Sequence, residues 1–357
     1  MIDINPENVK QAVDSVRSGR LSHAGAVEKY LPRILDADVN NSLSKAGHSK
    51  AALFPFKAAV FNMERGTYIK QIIAYFKYCP ALCGLSVVFA NELDWGMART
   101  QNAGVAGDFA DALGFNYAYG VEFVTEKAGR EGNKEGLHGN AVFSRFPLEN
   151  PKLIRLPLKY DWFYKEGDCR LGTRNAVLAV ADTPKGKIGL VSVHLENRTT
   201  PLGRKEQFEF VLNEAETHFG KNMPVLIGGD MNSNTVDGDR DEDMRYLSDH
   251  PGEMWRRIGQ VPSYEPQLDY AASRGFSYAD CNVLEKTTRR KPMDDGRTVA
   301  LNLDWFYQRG FLCSNPAKIE SIFHKNGLAG APEEALAYQG QEMSDHDIIL
   351  VTCGSLG

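Results

Sequence analysis

Acidic and amide side chains follow several apolar runs of the chain, at the points where those runs end. AAVF leads to Asn62 and Glu64, and LSVVFA leads to Glu92. PVLIGG leads to Asp230 and Asn232. Function is often carried by strand ends that a rigid scaffold holds in place, and acids that converge there suit a hard divalent cation. The sequence therefore predicts a metal-dependent site built from strand ends.

Two histidines and an acid in an apolar run extend this pattern. IGLVSV leads to His194, and Asp304 lies within the run LNLDWF. Asp345 and His346 stand just before DIILV. An ionised carboxylate inside an apolar run costs free energy unless it is paired. Histidine is the natural partner, and the order of the motifs favours an Asp304–His346 pair.

Each feature has a simpler explanation when it is taken alone. Asn62 with Glu64 is compatible with an ordinary strand-end turn, and Asp230 with Asn232 is compatible with an Asx turn. A lone His194 is more typical of a hydrogen-bonded core histidine. The whole ordered set is far less expected by chance than any of its members, so the set favours a catalytic site.

The composition limits the classes of protein that the chain can represent. Of the 357 residues, 43% are hydrophobic and 24% are charged, which is typical of a globular protein with a sizeable core. The net charge of −5 lacks the basic surplus of proteins that coat nucleic acid. The longest uncharged apolar stretch, residues 78–90, is too short for a transmembrane segment. With no signal-like start and six cysteines that lack metal-ligand spacing, we expect a cytoplasmic protein.

Apolar runs and breaks predict a mixed α/β fold. Strands are predicted at residues 57–62, 85–90, 116–123, 140–144, 174–181, 187–194, 223–229, 299–308 and 346–353. Helices are predicted at residues 67–78, 101–113 and 203–218. Residues 231–300 are rich in Asp, Arg, Gly and Ser, and this composition predicts long surface loops.

An N-terminal helical arm is predicted over residues 1–50, ahead of a catalytic domain at 51–357. A helix is expected after Pro6 and a second one around Val27. The polar residues 37–50 are predicted to form a connector. The arm carries no chemical motif, so we expect it to pack on the domain. Recruitment of a partner or dimerisation is the alternative.

Seven motifs, in this order, resemble the endonuclease/exonuclease/phosphatase superfamily of deoxyribonuclease- and sphingomyelinase-like hydrolases. They are FNMERG, NELDWGMART, GLHGNAVFSRFPL, VSVHLENR, VLIGGDMNSN, LNLDWF and SDHDIILV, and they extend over residues 57–353. GDMN and SDHD are the most specific of them. The resemblance implies a four-layered α/β sandwich, with two mainly antiparallel sheets packed face to face and helices outside. It also implies hydrolysis of a phosphate ester with Mg²⁺ or Mn²⁺.

The resemblance implies a role for each motif residue. Asn62, Glu64, Glu92 and Asp345 would serve the metal, and Asp230, Asn232, His194, Asp304 and His346 would serve catalysis. Asp230 with Asn232 would position or deprotonate the attacking water. His194 would protonate the leaving group. Pairing with Asp304 would raise the pKa of His346 and keep it cationic towards the phosphate.

Arginines near these motifs are candidates for binding the substrate phosphate. Arg174, just before the run NAVLAV, is the preferred candidate, and Arg99 and Arg170 are weaker ones. The basic run TTRRK at residues 287–291 is more typical of a solvated surface. The aromatic cluster WFY at residues 162–164 could stack on a base, contact an acyl chain or pack on the core.

Departures from the family pattern leave the substrate open. Asn91 stands where Gln is usual, Glu64 replaces an aspartate, and Phe61 replaces a tryptophan. These changes weaken assignment to the abasic-site endonucleases. Nucleic acid and small or lipid phosphoesters both remain as substrate classes, and protein partners are not indicated. The alternative is an inactive binding or scaffold module on the same fold, but such a module would be expected to lose metal or histidine groups that this chain keeps.

Overall fold

Strands and helices alternate along the residues that the computed structural model describes, namely 4–42, 54–125, 132–165, 169–233, 240–324, 328 and 330–355. The strands are β1 (Ala37–Asn40), β2 (Phe56–Arg65), β3 (Leu85–Trp95), β4 (Asn116–Thr125), β5 (Leu137–Ser144), β6 (Leu148–Arg155), β7 (Arg170–Gly172), β8 (Asn175–Thr183), β9 (Gly186–His194), β10 (Val225–Asp230), β11 (Arg289–Pro292), β12 (Thr298–Leu301), β13 (Asp304–Arg309), β14 (Phe311–Ile319) and β15 (Ile348–Ser355). The helices are α1 (Pro6–Arg17), α2 (His23–Tyr30), α3 (Ile69–Tyr78), α4 (Val105–Leu113), α5 (Pro201–Phe219), α6 (Arg240–Asp249), α7 (Pro251–Gly259), α8 (Pro266–Ser273) and α9 (Glu333–Leu336).

Two sheets contain most of the strands. The larger sheet has the order β1-β4-β5-β3-β2-β15-β14, with β7 also pairing with β4. The smaller sheet has the order β13-β10-β9-β8-β6. The pairs β2–β3 and β9–β10 are parallel, and the other neighbours in these sheets are antiparallel. The hairpin of β11 and β12 forms a small third sheet.

The two larger sheets pack face to face through a buried apolar layer. Gly228 of β10 lies against the opposite sheet, where an added Cβ would come within 2.6 Å of Phe89 and 2.7 Å of Val60. A glycine is therefore required for the sheets to approach this closely. Phe89 also packs edge-on against Phe306 of β13, with ring centroids 6.2 Å apart. Packing through this layer places strand ends of the two sheets next to each other.

Helices cover the outer face of each sheet. On the larger sheet, Phe76 of α3 packs against Phe109 of α4 with ring centroids 5.0 Å apart. On the smaller sheet, Phe208 of α5 packs against Tyr307 of β13 at 4.5 Å. This arrangement of helices, sheet, sheet and helices confirms the predicted mixed α/β fold with two mainly antiparallel sheets. Among the described residues, no helix has the length and apolar character to cross a membrane.

The N-terminal region contributes helices and one strand that was not predicted. α1 and α2 confirm the expected helices, and they bury Val13 and Val27 in the same apolar cluster as α3 and α4. The prediction of a connector from residue 37 was wrong at its start, because β1 pairs with β4 in the larger sheet. Residues 43–53 lie outside the described part of the chain, so the domain division at residue 50 stays a prediction.

The prediction of long surface loops over residues 231–300 was wrong. This segment contains α6, α7 and α8 and the hairpin of β11 and β12. Met254 and Ile258, one helical turn apart on α7, pack on Val299 of β12. Because most residues around them are polar, their helical spacing was not recognised in the sequence. The predicted strand at 299–308 is also divided in two, because the N–H groups of Leu303 and Asp304 donate to the Thr288 hydroxyl instead of to a neighbouring strand.

Candidate active site

Strand register brings the predicted residues to the same end of both sheets. Asp230, the last residue of β10, is paired with His194 of β9 on one side and with Asp304 of β13 on the other. In the larger sheet, Asn62 of β2 is paired with Asn91 of the parallel strand β3. Parallel strands end at the same edge of a sheet, and for this reason residues far apart in the sequence meet here.

The backbone departs from regular strand geometry at three of the predicted site residues. Glu64, Glu92 and Asn232 have φ values of 44°, 58° and 48°. Both β2 and β3 shift register where Glu64 and Glu92 occur, as bulged strands do. A left-handed conformation is costly for residues with a Cβ atom and is found where the surrounding structure enforces it, often at functional sites. The bulges redirect both glutamates into the cavity that they line.

One oxygen atom, Asp230 Oδ2, lies at the centre of the site. The Asn62 amide donates to it at 3.0 Å, and Nε2 of His194 and Nε2 of His346 lie 3.6 and 3.8 Å away. The other oxygen of Asp230 accepts the backbone N–H of Asn232 at 2.8 Å. The carboxylate is therefore fixed in place while two imidazoles converge on a single oxygen.

Asn62 connects Asp230 with the predicted metal ligands. Its amide also donates to Glu92 at 3.3 Å, and its oxygen accepts the backbone N–H of Glu64 at 3.0 Å. The group that Asn62 turns towards the carboxylates is thus a donor. This differs from the predicted role of Asn62 as a metal ligand, which needs the oxygen.

Asp304 and His346 form the predicted pair, with Nδ1 of the imidazole 2.9 Å from the carboxylate. Both side chains are buried. The Ser344 hydroxyl accepts the backbone N–H of His346 and donates to the backbone of Asn62, which ties the pair to β2. The second oxygen of Asp304 is buried and makes no hydrogen bond among the described residues.

Burial and charge shift the pKa of both members of this pair. Burial raises the pKa of Asp304 to about 6, although the neighbouring His346 opposes the shift. Burial alone would lower the pKa of His346, but the carboxylates of Asp304 and Asp230 raise it to about 9. His346 is therefore cationic near neutral pH.

A second group of charged residues, which we call the Glu122 cluster, consists of Glu122, Arg174, His194 and Glu196. Arg174 donates to Glu122 at 2.8 Å and contacts Glu196 at 3.4 Å, and Nδ1 of His194 lies 3.1 Å from Glu122. Burial would raise the pKa of Glu122, but His194 and Arg174 lower it to about 2. Glu122 was not predicted, although a lone acid in the apolar strand GVEFV is the same kind of signal as Asp304 in LNLDWF.

The aromatic cluster at residues 162–164 lies beside the Glu122 cluster. Trp162 is buried and donates to Glu196 at 2.8 Å. Arg170 lies over the Trp162 ring, 4.5 Å from its centroid. Phe163 is buried in the core, whereas Tyr164 is 70% exposed. Packing on the core is thus confirmed for Phe163, whereas Trp162 lines the cavity of the site.

A third group, which we call the His346 cluster, consists of Asp304, His346, Asp345 and Arg289. Asp345 accepts Nε of Arg289 at 2.9 Å and Nη2 at 2.5 Å. Its backbone N–H donates to Glu64 at 3.1 Å. Arg289 belongs to the basic run that predicted a solvated surface, and that prediction was wrong because Arg289 is buried between β12 and the His346 segment.

Glu92 is ionised and has few partners. Burial alone would raise its pKa, but His138, His194, His346 and Arg174 lower the pKa well below the usual range. Among the described residues, its carboxylate accepts one hydrogen bond, from Asn62. An ionised carboxylate with free lone pairs beside a cavity is the donor that a hard divalent cation requires.

Glu64 has the opposite electrostatic environment. Burial and the nearby charges of Asp345 and Glu92 raise its pKa. A cation held between Glu64 and Glu92 would relieve this repulsion, so the residues fit a metal of the Mg²⁺ or Mn²⁺ type. Asp230, Asp304 and His346 also have ligand atoms within 4.8 Å of one another and could hold a metal ion. The raised pKa of His346 opposes that second arrangement, because a protonated imidazole has no free nitrogen lone pair to donate.

The site opens into a polar cavity of about 210 Å³. The predicted residues that line it are Glu64, Glu92, Arg174, His194, Asp230, Asn232, Asp345 and His346. Asn62 and Asp304 support this set from behind through hydrogen bonds to Asp230 and His346. The structure thus brings all ten predicted residues together. The lining also includes the weaker phosphate-binding candidates Arg99 and Arg170 and the aromatic residue Trp162. It further includes four residues that were not predicted to belong to the site, namely Arg65, His138, Asn197 and Arg289.

Comparison with known proteins agrees with this arrangement. The profile of the Endonuclease/Exonuclease/phosphatase family matches residues 59–329. The chain belongs to this family. The motif resemblance is thereby confirmed, and members of this family are typically hydrolases that act on phosphoesters. A comparison with curated proteins gives no match.

Several solved structures share the fold of the chain at low sequence identity. A family protein from Leptotrichia buccalis C-1013-b is 14% identical with a TM-score of 0.52, and the match covers 84% of this chain and 99% of that one. The human Nocturnin catalytic domain with bound sulfate anion is 14% identical with a TM-score of 0.50, covering 84% and 93%. A family protein from Bacteroides vulgatus is 13% identical with a TM-score of 0.50, covering 84% and 98%.

Proposed function

We propose that the protein is a divalent-metal-dependent phosphoester hydrolase. The observation that carries this proposal is the convergence of Asn62, His194 and His346 on one oxygen of Asp230, next to an ionised Glu92. This geometry offers a base, a fixed cation and a carboxylate for a metal within one polar cavity. Such an arrangement suits a reaction in which water attacks an anionic phosphate.

Glu92 and Glu64 would hold the metal, with Asn62 orienting Glu92 through its amide. A bound Mg²⁺ or Mn²⁺ supplies positive charge that offsets the negative charge developing on the phosphate oxygens. Asp345 supports Glu64 through its backbone N–H. Which of the two metals serves the protein, and its cytoplasmic location, stay predictions.

Asp230 is the proposed general base. Its carboxylate is fixed by Asn62 and by the backbone N–H of Asn232, so one oxygen stays available to accept a proton from water. Asn232 donates its own amide to the backbone of Leu195 at 3.0 Å and therefore positions Asp230.

His346 is the proposed cation that contacts the scissile phosphate, and Asp304 keeps it protonated and oriented. On the other side of Asp230, Nδ1 of His194 lies 3.1 Å from Glu122, and Nε2 lies 3.0 Å from Nη1 of Arg174 and 3.6 Å from Asp230. His194 is the proposed proton donor to the leaving group.

Hydrolysis of bis(p-nitrophenyl) phosphate tests the proposal. We expect turnover by the wild-type protein with Mg²⁺ or Mn²⁺, and loss of turnover with EDTA. Asp230→Asn should reduce the rate by about 10³-fold, since a positioned general base contributes on the order of 10²–10⁴. Asp182→Asn, at the opposite end of β8 from the cavity and exposed, is the matched control and should retain full activity. Turnover that survives EDTA or Asp230→Asn would contradict the proposal, and absence of turnover would favour the inactive binding module.

A further inference from the structure

Five arginines line the cavity, namely Arg65, Arg99, Arg170, Arg174 and Arg289. Arg174 and Arg289 are the buried ones, and they differ in how their nitrogen atoms are used. Arg174, the residue predicted to bind the phosphate, contacts Glu122 and His194 through Nη1, Glu196 through Nε and Asn197 through Nη2. Its guanidinium is buried, and every one of its nitrogens has a protein partner. To bind a substrate, Arg174 would have to give up bonds to buried groups, which is costly.

Arg289 is placed beside His346 by the backbone. The two residues form an antiparallel bridge, and the N–H of Arg290 donates to the carbonyl of Asp345 at 2.9 Å. Residues directly opposite each other in an antiparallel pair project to the same face, with Cβ atoms roughly 5 Å apart. Arg289 therefore shares the cavity with the proposed phosphate-binding histidine.

Arg289 also retains unused hydrogen-bond donors. Nε and Nη2 both donate to the same carboxylate oxygen of Asp345, which leaves the Nη1 end of the guanidinium. Nη1 is buried and has no hydrogen-bond partner among the described residues. A buried N–H group without a partner costs on the order of 1–3 kcal/mol. Asp345 thus holds the guanidinium rigidly with one end unsatisfied, as an anion-binding group requires.

We propose that Arg289 binds the substrate phosphate next to His346, whereas Arg174 is a positioning residue that holds Glu122 and His194. The recognised chemistry is a phosphoryl oxygen that accepts hydrogen bonds from the free end of the guanidinium. The inference rests on the proposed hydrolysis for its place in the reaction. Its binding part can be tested without any turnover.

Titration with inorganic phosphate in EDTA tests binding directly, by isothermal titration calorimetry. We expect Arg289→Ala to raise the Kd for phosphate about tenfold or more, because a hydrogen bond to a charged group is lost. Arg297→Ala is the matched control, since Arg297 lies on the same hairpin, is half exposed and pairs with Asp295 and Asp249. The Arg297→Ala variant should bind phosphate with the same Kd as the wild type.

Arg289→Lys distinguishes binding from folding. Lysine keeps a charge for Asp345 but lacks the planar fork, so this variant should fold normally while binding phosphate more weakly than the wild type. Circular dichroism and thermal melting of each variant check the fold.

Kinetics with bis(p-nitrophenyl) phosphate separate the two arginines. Arg289→Ala should lose about 100-fold in kcat/KM, and added guanidinium ion should restore part of that loss. The same ion should not rescue Arg174→Ala, because that site is closed by buried partners. A structural role of Arg289 would not be rescued by guanidinium ion.

The outcomes separate this inference from the proposed function. No hydrolysis by the wild type with either metal contradicts the proposed function, and the phosphate titration then decides the role of Arg289 alone. The inference is overturned if the wild type binds no phosphate, or if Arg289→Ala binds it as well as Arg297→Ala does. It is also overturned if Arg174→Ala, and not Arg289→Ala, loses phosphate binding.

Discussion

The Glu122 cluster and the His346 cluster both contribute residues to the lining of one cavity, but their polar groups are satisfied to different degrees. Glu122 accepts bonds from Arg174 and contacts His194, and its pKa is lowered by both. In the His346 cluster, one oxygen of Asp304 and Nη1 of Arg289 are buried without a hydrogen-bond partner among the described residues. A fully bonded network rigidifies its members, whereas unsatisfied groups indicate a requirement outside folding.

We infer from this difference that the Glu122 cluster mainly supports the fold and that the His346 cluster mainly acts in the reaction. Removing a member of the Glu122 cluster should first affect stability, because the remaining charge is left buried. Removing a member of the His346 cluster should strongly affect activity, and loss of the Asp304–His346 pair should also lower stability below pH 9. Stability and activity measured on the same variants therefore test the comparison.

The largest expected effect is on activity in the His346 cluster. His346→Ala should reduce the rate of bis(p-nitrophenyl) phosphate hydrolysis by about 10³-fold, since a fixed charge facing the transition state is worth roughly 10²–10³. His324→Ala, at an exposed position, is the matched control and should leave the rate unchanged. If the two variants have equal rates, His346 does not act on the phosphate.

The next effect is on stability in the Glu122 cluster. Glu122→Gln should lower the free energy of unfolding by about 3 kcal/mol, because Arg174 loses its closest buried counter-charge. Glu149→Gln removes an exposed partner of Lys187 and should change stability by less than about 1 kcal/mol. Urea unfolding of both variants measures the difference. Equal stability would show that the Glu122 cluster does not support the fold.

The pH dependence of stability gives an independent measure of the Asp304–His346 pair. His346 has a folded pKa of about 9 against an ordinary value of 6.5, so its contribution is complete below pH 6.5 and is lost as the pH rises through 9. That shift corresponds to roughly 3 kcal/mol. Asp304, with its pKa raised to about 6, adds a loss of stability in the same direction as the pH rises from 3.8 through 6.

Urea unfolding at pH 6.5 and pH 9.5 measures the His346 part. The wild type should lose roughly 3 kcal/mol more between these two values than His346→Gln, which removes the titrating group. Asp304→Asn should shrink the same loss, since the main source of the raised pKa is gone. A wild type and a His346→Gln variant with parallel pH profiles would contradict the assigned cationic state.

The sequence predicted those parts of the fold and site that local pattern determines. Apolar runs that end in a polar residue identified the strands carrying Asn62, Glu92, Asp230 and His194, and the motif order identified the Asp304–His346 pair. Burial of the apolar faces then forces these strand ends together. These features were predictable from the pattern of apolar and polar residues and from the resemblance to the family motifs. Neither requires knowledge of long-range contacts.

Residues whose position depends on non-local pairing escaped prediction. Arg289 lies in a polar segment, and only the bridge between β11 and the chain at His346 buries it. The left-handed backbone of Glu64 and Glu92 arises from register shifts between neighbouring strands, which a single strand does not encode. Glu122 could have been found, because an acid in an apolar strand requires a partner.

The smallest expected effect concerns the metal and tests whether it binds at Glu92. Wild-type protein with Mn²⁺ at ten times its Kd should gain about 1.4 kcal/mol of stability over the same protein in EDTA. Glu92→Gln should abolish this gain, because it removes the ionised carboxylate that has free lone pairs. Glu206→Gln, a solvent-exposed acid on α5, should keep it. Thermal melting measures this stabilisation. If Glu92→Gln is stabilised by Mn²⁺ as much as the wild type, the metal binds at Asp230, Asp304 and His346 instead. The proposed difference between the two clusters would then be wrong.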